Sequence, residues 1–152
     1  MTKVIDFSKD LNIVEYGPGD GVFSDRLLQD MTQNSKISIF EIAESFCKLL
    51  KEKYKNEPRV TIYDISACQI RKFFEKESVD YIISSLPLAF IEPHIVGEIL
   101  DKSRQVLKTT GKYIQYQYFL QNKKQIKSYF PKTDYKFTLF NFPPAFVYIC
   151  HK

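Results

Sequence analysis

Short runs with apolar residues at strand spacing are separated along this chain by stretches with apolar residues at helical spacing. Ile13 and Val14 mark a first strand, and Phe23, Leu27, Leu28 and Met31 fall on one face of the helix after it. Residues 36–41 alternate and predict a second strand. Phe46, Leu49, Leu50 and Tyr54 then form the apolar stripe of a second helix, closed by Asn56 and Pro58. Val60–Tyr63 reads as strand three, Ile70, Phe73 and Phe74 as a short helix, and Val79–Ser84 as strand four. After a turn at Pro87, residues Ile95 to Leu107 carry a helical stripe, Gly111 ends the connection, and 112–118 make strand five. One more helix is expected near 122–130. Two closing strands, 135–140 and 145–150, flank Asn141-Phe142-Pro143-Pro144. Strand–helix alternation predicts an α/β fold with a largely parallel sheet and helices on both faces. A closing pair joined by a short turn must be antiparallel, so the sheet is mixed.

Composition narrows the class. At 152 residues and 44% hydrophobic, the chain is expected to be one domain spanning 1–152. It has no apolar run near the ~20 residues of a membrane span and no signal-like N-terminus, so a cytoplasmic protein is expected. Cys47, Cys68 and Cys150 stand apart, without the spacing of a metal site, and read as reduced thiols. The net charge of +4 is uneven: residues 1–111 hold 15 Lys/Arg against 17 Asp/Glu, and 112–152 hold seven lysines against Asp134 alone. Such a block is either a solvated face or a surface for an anionic partner.

The most informative stretch runs from Asn12 to Phe23 and contains Gly17-Pro18-Gly19-Asp20-Gly21. A strand enters this turn and a helix leaves it. Glycines at alternate positions allow a tight turn and close approach of a ligand, and the helix start offers free N–H groups. The dinucleotide fingerprint G-x-G-x-x-G would need glycine at position 22, which is Val22. Glu41 ends strand two, 24 positions after Gly17, where a carboxylate could accept from both hydroxyls of a ribose. At the end of strand three, Asp64 or Ser66 could equally cap the next helix.

The G-x-G-x-G pattern preceded by Glu15 resembles motif I of class I S-adenosylmethionine (SAM) methyltransferases. Ser84-Ser85-Leu86-Pro87-Leu88 resembles the S-G-L-P-L segment of bacterial phosphatidylethanolamine N-methyltransferases, with Ser85 in place of glycine. Ile114-Gln115-Tyr116-Gln117-Tyr118 looks like the end of that family's fifth strand, and Asn141 to Ala145 like its N-L-P-P-A turn. The resemblance implies a Rossmann-like, seven-stranded sheet of order 3-2-1-4-5-7-6, with strand seven antiparallel. It implies SAM as cofactor and S-adenosylhomocysteine as product. Glu15, Gly17, Gly19, Asp20, Gly21, Glu41, Ile42, Asp64, Ile65 and Ser84 would bind the cofactor. Ser84, Ser85, Leu86, Pro87 and Tyr118 would serve the acceptor and the transfer, with no metal. Only eleven residues precede Asn12, fewer than the family's N-terminal helical segment needs, so a short form lacking it is expected.

The acceptor implied is a small-molecule or lipid amine. The lysines from 123 to 136 would then meet an anionic membrane at its inner surface, and a homodimer could cover the cofactor pocket. An rRNA adenine dimethyltransferase ranks second, because Ser85-Leu86-Pro87-Leu88 lacks the amide and the ring of that family's Asn/Asp-Leu/Ile-Pro-Tyr/Phe motif. Nucleic acid is the less expected partner. A non-catalytic SAM-binding subunit is the third reading. A short-chain dehydrogenase is set aside, since its Tyr-x-x-x-Lys falls here on Tyr148 and Lys152 in a predicted strand.

Overall fold

Asn12–Tyr16 (β1) lies inside a seven-stranded sheet, third from one edge, in a computed structural model that describes residues 4–118, 120–138 and 145–152. The chain continues through α1 (Val22–Asp30), β2 (Lys36–Phe40), α2 (Glu44–Lys53) and β3 (Val60–Tyr63). A 3-10 helix (Ala67–Lys72), β4 (Val79–Ser84), a 3-10 turn (Leu88–Phe90) and α3 (Pro93–Val106) follow. Last come β5 (Leu107–Gln117), α4 (Lys123–Tyr129), β6 (Thr133–Thr138) and β7 (Ala145–His151). The order is β3-β2-β1-β4-β5-β7-β6, and only β7 runs antiparallel to its neighbours. This is the mixed, Rossmann-like sheet expected. The Asn141–Pro144 turn lies outside the described residues.

Alternation along each strand sends neighbouring residues to opposite faces, and the core divides accordingly. Val14, Tyr16, Ile82 and Tyr113 pack with Val96 and Leu100 of α3 on one face. Ile13, Ile37, Ile39, Ile83 and Ile114 pack with Leu27 of α1 and Leu50 of α2 on the other. Both faces are covered, which is why the central strands are nearly all buried.

Register places the site. Tyr16 lies opposite Phe40 on one side and Ser84 on the other, so β1, β2 and β4 end level. Their following loops emerge together where the strand order reverses, at the crevice that open α/β sheets use for ligands.

Three local expectations change. The buried stripe of α2 is Cys47, Leu50 and then Tyr54, while Phe46 and Leu49 are 40% and 45% exposed. The apolar pattern there supports two overlapping stripes, and packing against β1 and β2 selects one. Leu107 starts β5 instead of ending a helix, and Gly111 lies inside that strand at an irregularity. A side chain at Gly111 would meet the carbonyl oxygens of Lys108 at 2.9 Å and Asp80 at 3.1 Å. Phe73 falls beyond the 3-10 helix and rests on Tyr63, with ring centroids 4.4 Å apart. No helix among the described residues is long and apolar enough to cross a membrane.

Candidate cofactor and acceptor site

Main-chain hydrogen bonds lock the three crossovers to one another. Gly17 N donates to Phe40 O at 3.0 Å, Ser85 N to Tyr16 O at 3.0 Å, and Glu41 N to Tyr63 O at 3.1 Å. Gly17 and Gly19 both have φ of 61°, a conformation in which a side chain is strained. At Gly17 a β-carbon would also sit 2.8 Å from the Leu86 side chain, so the glycine lets the two loops touch. Gly19 has the opposite surroundings: nothing lies within 4 Å of a β-carbon there, so its backbone faces open space.

Two cavities flank this contact. The smaller, about 150 Å³, is lined by Gly17, Glu41, Ile42, Ile65, Ser66 and Leu86, among others. The larger, about 290 Å³, is lined by Pro18, Asp20, Val22, Phe23, Ser85, Pro87, Phe90 and residues Tyr116 to Tyr118. Adjacent residues thus face different cavities, Gly17 and Leu86 one side, Pro18 and Pro87 the other. An elongated ligand crossing the glycine loop would have one end in each. Together the cavities fall in the ~300–1,000 Å³ range of small-molecule sites.

Glu41 is buried at the smaller cavity. Its Oε1 accepts from Ile42 N at 2.8 Å and Ala43 N at 2.9 Å. No described residue hydrogen-bonds its second oxygen, which leaves an acceptor of fixed direction for a diol. Asp64 is not in the cavity lining. Its carboxylate is exposed and paired with Lys51 at 2.9 Å, which holds it below the usual carboxylate range. Ser66 caps the 3-10 helix, its Oγ accepting from Cys68 N at 3.2 Å.

Ser84 and Ser85 part company. Ser84 is fully buried, with Leu86 N donating to its Oγ at 3.4 Å, and lies beneath the turn. Ser85 lines the larger cavity, and its buried Oγ has no hydrogen-bond partner among the described residues. Phe23, Tyr116 and Tyr118 make an aromatic wall, with centroid distances of 5.9 Å and 5.4 Å along it. The wall and the orphan hydroxyl face one space.

Some supporting residues are not evident from local sequence. Gln115 is fully buried, and its Nε2 donates to Leu86 O at 3.0 Å and Tyr116 O at 2.9 Å. Tyr113 donates its hydroxyl to Gln115 Oε1 at 2.5 Å. The end of α2 braces the glycine loop: Tyr54 donates to Gly21 O at 3.2 Å, and Lys53 to Asp20 O at 3.0 Å. The glutamines of Gln115-Tyr116-Gln117 are the signal that could have drawn notice. Polar side chains in a buried strand must hydrogen-bond to something.

Glu15 sits under the loop, fully buried, with Ser24 Oγ donating to its Oε2 at 2.6 Å and Oε1 unpartnered among the described residues. Burial pushes its carboxyl up from an ordinary 4.5 to about 7, against the opposing pull of the Ser24 hydrogen bond. A raised carboxyl stays protonated in the fold while the unfolded chain ionises. Its contribution is therefore full below pH 4.5 and is lost as the pH rises to about 7. The cofactor-free protein is expected to lose about 3 kcal/mol of stability across that window through this group. Glu15→Gln should flatten the profile in urea denaturation at either end of it. An equal slope in the variant would assign the pH dependence to other groups.

Known proteins resemble this chain in sequence and in fold. Residues 13–111 match the family described as the methyltransferase domain. Ornithine lipid N-methyltransferase of Singulisphaera acidiphila is 22% identical over 148 residues, covering 91% of this chain and 74% of that protein. A SAM-dependent methyltransferase structure from Aquifex aeolicus superposes with a TM-score of 0.74 at 13% identity, covering 95% of this chain and 84% of that one. Haemonchus contortus phosphoethanolamine N-methyltransferase 1, solved with phosphoethanolamine and S-adenosylhomocysteine, gives 0.65 at 17% identity, over 75% of this chain and 23% of that one. Open backbone at Gly19 and the uncommitted oxygen of Glu41 suit a cofactor with a ribose and a polar tail. The chain belongs to the methyltransferase-domain family, and it is a SAM-dependent methyltransferase.

Proposed function

We propose that this enzyme methylates the nitrogen of an amine acceptor, most simply a phosphatidylethanolamine-like headgroup, with residues 1–152 acting as one catalytic domain. The observation that carries the reading is the larger cavity, where an aromatic wall faces the Ser85 hydroxyl, which has no partner among the described residues. Ring faces attract a methylated ammonium, and a hydroxyl can hold the amine nitrogen before transfer. Asp20 lines the same cavity and would draw a cationic headgroup to its mouth. Among the similar proteins whose names state an acceptor, two have amines, an ornithine lipid and phosphoethanolamine, and one, from Clostridium thermocellum, is named as an rRNA-methylase.

When bound, SAM supplies an electrophilic methyl on its sulfonium. The protein's part is placement. Gly19 to Gly21 and Glu41 would hold the cofactor across the divide between the cavities. Ser85 and Pro87 would set the nitrogen at near-attack distance, the main source of rate in such a transfer. The adenine reading is weaker because Leu88, at the place of the stacking ring, is fully buried.

The test is transfer of labelled methyl from SAM into the lipid, RNA and protein fractions of a cell extract. Label in lipid amines is expected; label confined to RNA would favour the adenine reading, and SAM binding without turnover a non-catalytic subunit. Pro87→Ala should lower kcat about tenfold or more with SAM affinity unchanged, since small misplacements of reacting atoms are costly. Equal loss of SAM binding and turnover would mark the turn as structural only.

A further inference from the structure

Every loop that rims the larger cavity leaves the same edge of the sheet. Val22 follows β1, Phe90 follows β4, and Tyr118 and Leu120 follow β5. All four are exposed, by 64%, 82%, 47% and 41%, and the first three line the cavity. Large apolar side chains grouped at a mouth are unusual on a soluble surface and mark a contact face.

Positive charge lies beside them. Lys123 and Lys124 begin α4 just after Leu120, and Lys123 N donates to Leu120 O at 3.0 Å. Lys136 lies on β6, which runs parallel to β5 because both are antiparallel to β7. These lysines are exposed, and none forms an ion pair among the described residues. Lys48, Lys51, Lys53, Lys55, Lys102, Lys108 and Lys152 are paired with acids, while Lys9, Lys36, Lys72 and Lys76, also without an ion pair among the described residues, lie apart from this edge. Lys132 precedes β6 at the opposite end, so it belongs to neither group.

We propose that this edge is a membrane-docking face, in which Val22, Phe90, Tyr118 and Leu120 enter the interface of an anionic bilayer while Lys123, Lys124 and Lys136 hold the surrounding headgroups. Apolar tips surrounded by lysines match that surface, which offers burial and negative charge together. A second copy of this chain fits less well, because a two-fold contact would bring like lysines together. RNA fits less well too, since Val22 and Leu120 offer no face for stacking. The inference deepens the lipid-amine reading and rests on it for the acceptor: a docked enzyme would receive a headgroup without removing the lipid from its layer.

The chain contains no tryptophan, so Phe90→Trp gives a single reporter, with Leu49→Trp on exposed α2 as its control. Phosphatidylcholine vesicles, with and without an equal share of phosphatidylglycerol, carry no primary amine and therefore test docking apart from turnover. Binding is expected to the anionic vesicles, with a blue shift and quenching by brominated acyl chains at position 90 and not at 49. Leu120→Ser should weaken binding about tenfold, and Lys123→Glu with Lys124→Glu should abolish it, with melting temperatures unchanged in both. Vesicle binding without a shift at position 90 would overturn the insertion. So would binding of an RNA oligomer in place of vesicles, or self-association that shifts the reporter without lipid. Docking without methyl transfer to any lipid amine would leave the face standing and sink the acceptor reading. Transfer to phosphatidylethanolamine in detergent without vesicle binding would do the reverse.

Discussion

Glu41→Ala is expected to lower SAM affinity about a hundredfold, while the protein stays folded. A charge-assisted hydrogen bond contributes roughly 1.5–3 kcal/mol, and a ribose diol would make two with this carboxylate. The carboxylate is already oriented, because Oε1 is held by the N–H groups of Ile42 and Ala43. Little ordering remains for the ligand to impose. Loss of those two local bonds costs the fold about 0.5–2 kcal/mol, since water can reach the freed N–H groups at the helix start. Glu41→Gln keeps an acceptor without the charge and should fall between. Calorimetry with SAM decides, and an unchanged dissociation constant in folded Glu41→Ala would remove Glu41 from the cofactor site.

Gln115→Leu should lower kcat roughly tenfold to a hundredfold, through the turn it supports and not through contact with substrate. The side chain ties Leu86 O, on the turn, to Tyr116 O and the Tyr113 hydroxyl, on β5. Leu86 O keeps a bond from Leu88 N at 2.9 Å and the Tyr113 hydroxyl keeps Ser84 as a partner, so what is lost is the tie between the turn and β5. Each lost hydrogen bond costs about 0.5–1.5 kcal/mol. Both Ser85 and Pro87 would then be free to drift. The readout is kcat for the folded enzyme beside its SAM affinity and melting temperature. A lower melting temperature with kcat unchanged would confine Gln115 to a structural role.

The strand positions were legible because buried strands need β-branched and aromatic runs, and Val79–Ser84 supplies one broken only by Asp80 before its closing serine. Gly17 to Gly21 were legible because few other residues accept such turns. Seven-strand order was not in the periodicity; it came from the family resemblance. Helix faces were harder to read where apolar residues crowd, as at Phe46 to Leu50, because any of several stripes could pack. The division of labour between Ser84 and Ser85 depends on which way a strand end turns, and adjacent identical residues carry no sign of that. The part Gln115 plays was hidden for a different reason. Its Nε2 reaches Leu86 O on the turn after β4, and no local pattern announces a long-range hydrogen bond.

The position of β7 between β5 and β6 also constrains how the molecule can form. β1, β2 and β3 are close in sequence and can associate early, but the free edge of β1 must wait for Val79–Ser84. When β6 is made it has no neighbour in the sheet, because its only partner, β7, follows it in the chain. The growing sheet therefore carries an open edge of unpaired backbone groups on β5 until Ala145–His151 slots in and joins both sides. Such non-local pairing slows folding into roughly the millisecond-to-second range and leaves strand edges exposed on the way. During synthesis, this half of the sheet is where aggregation would begin and where a chaperone would find its substrate.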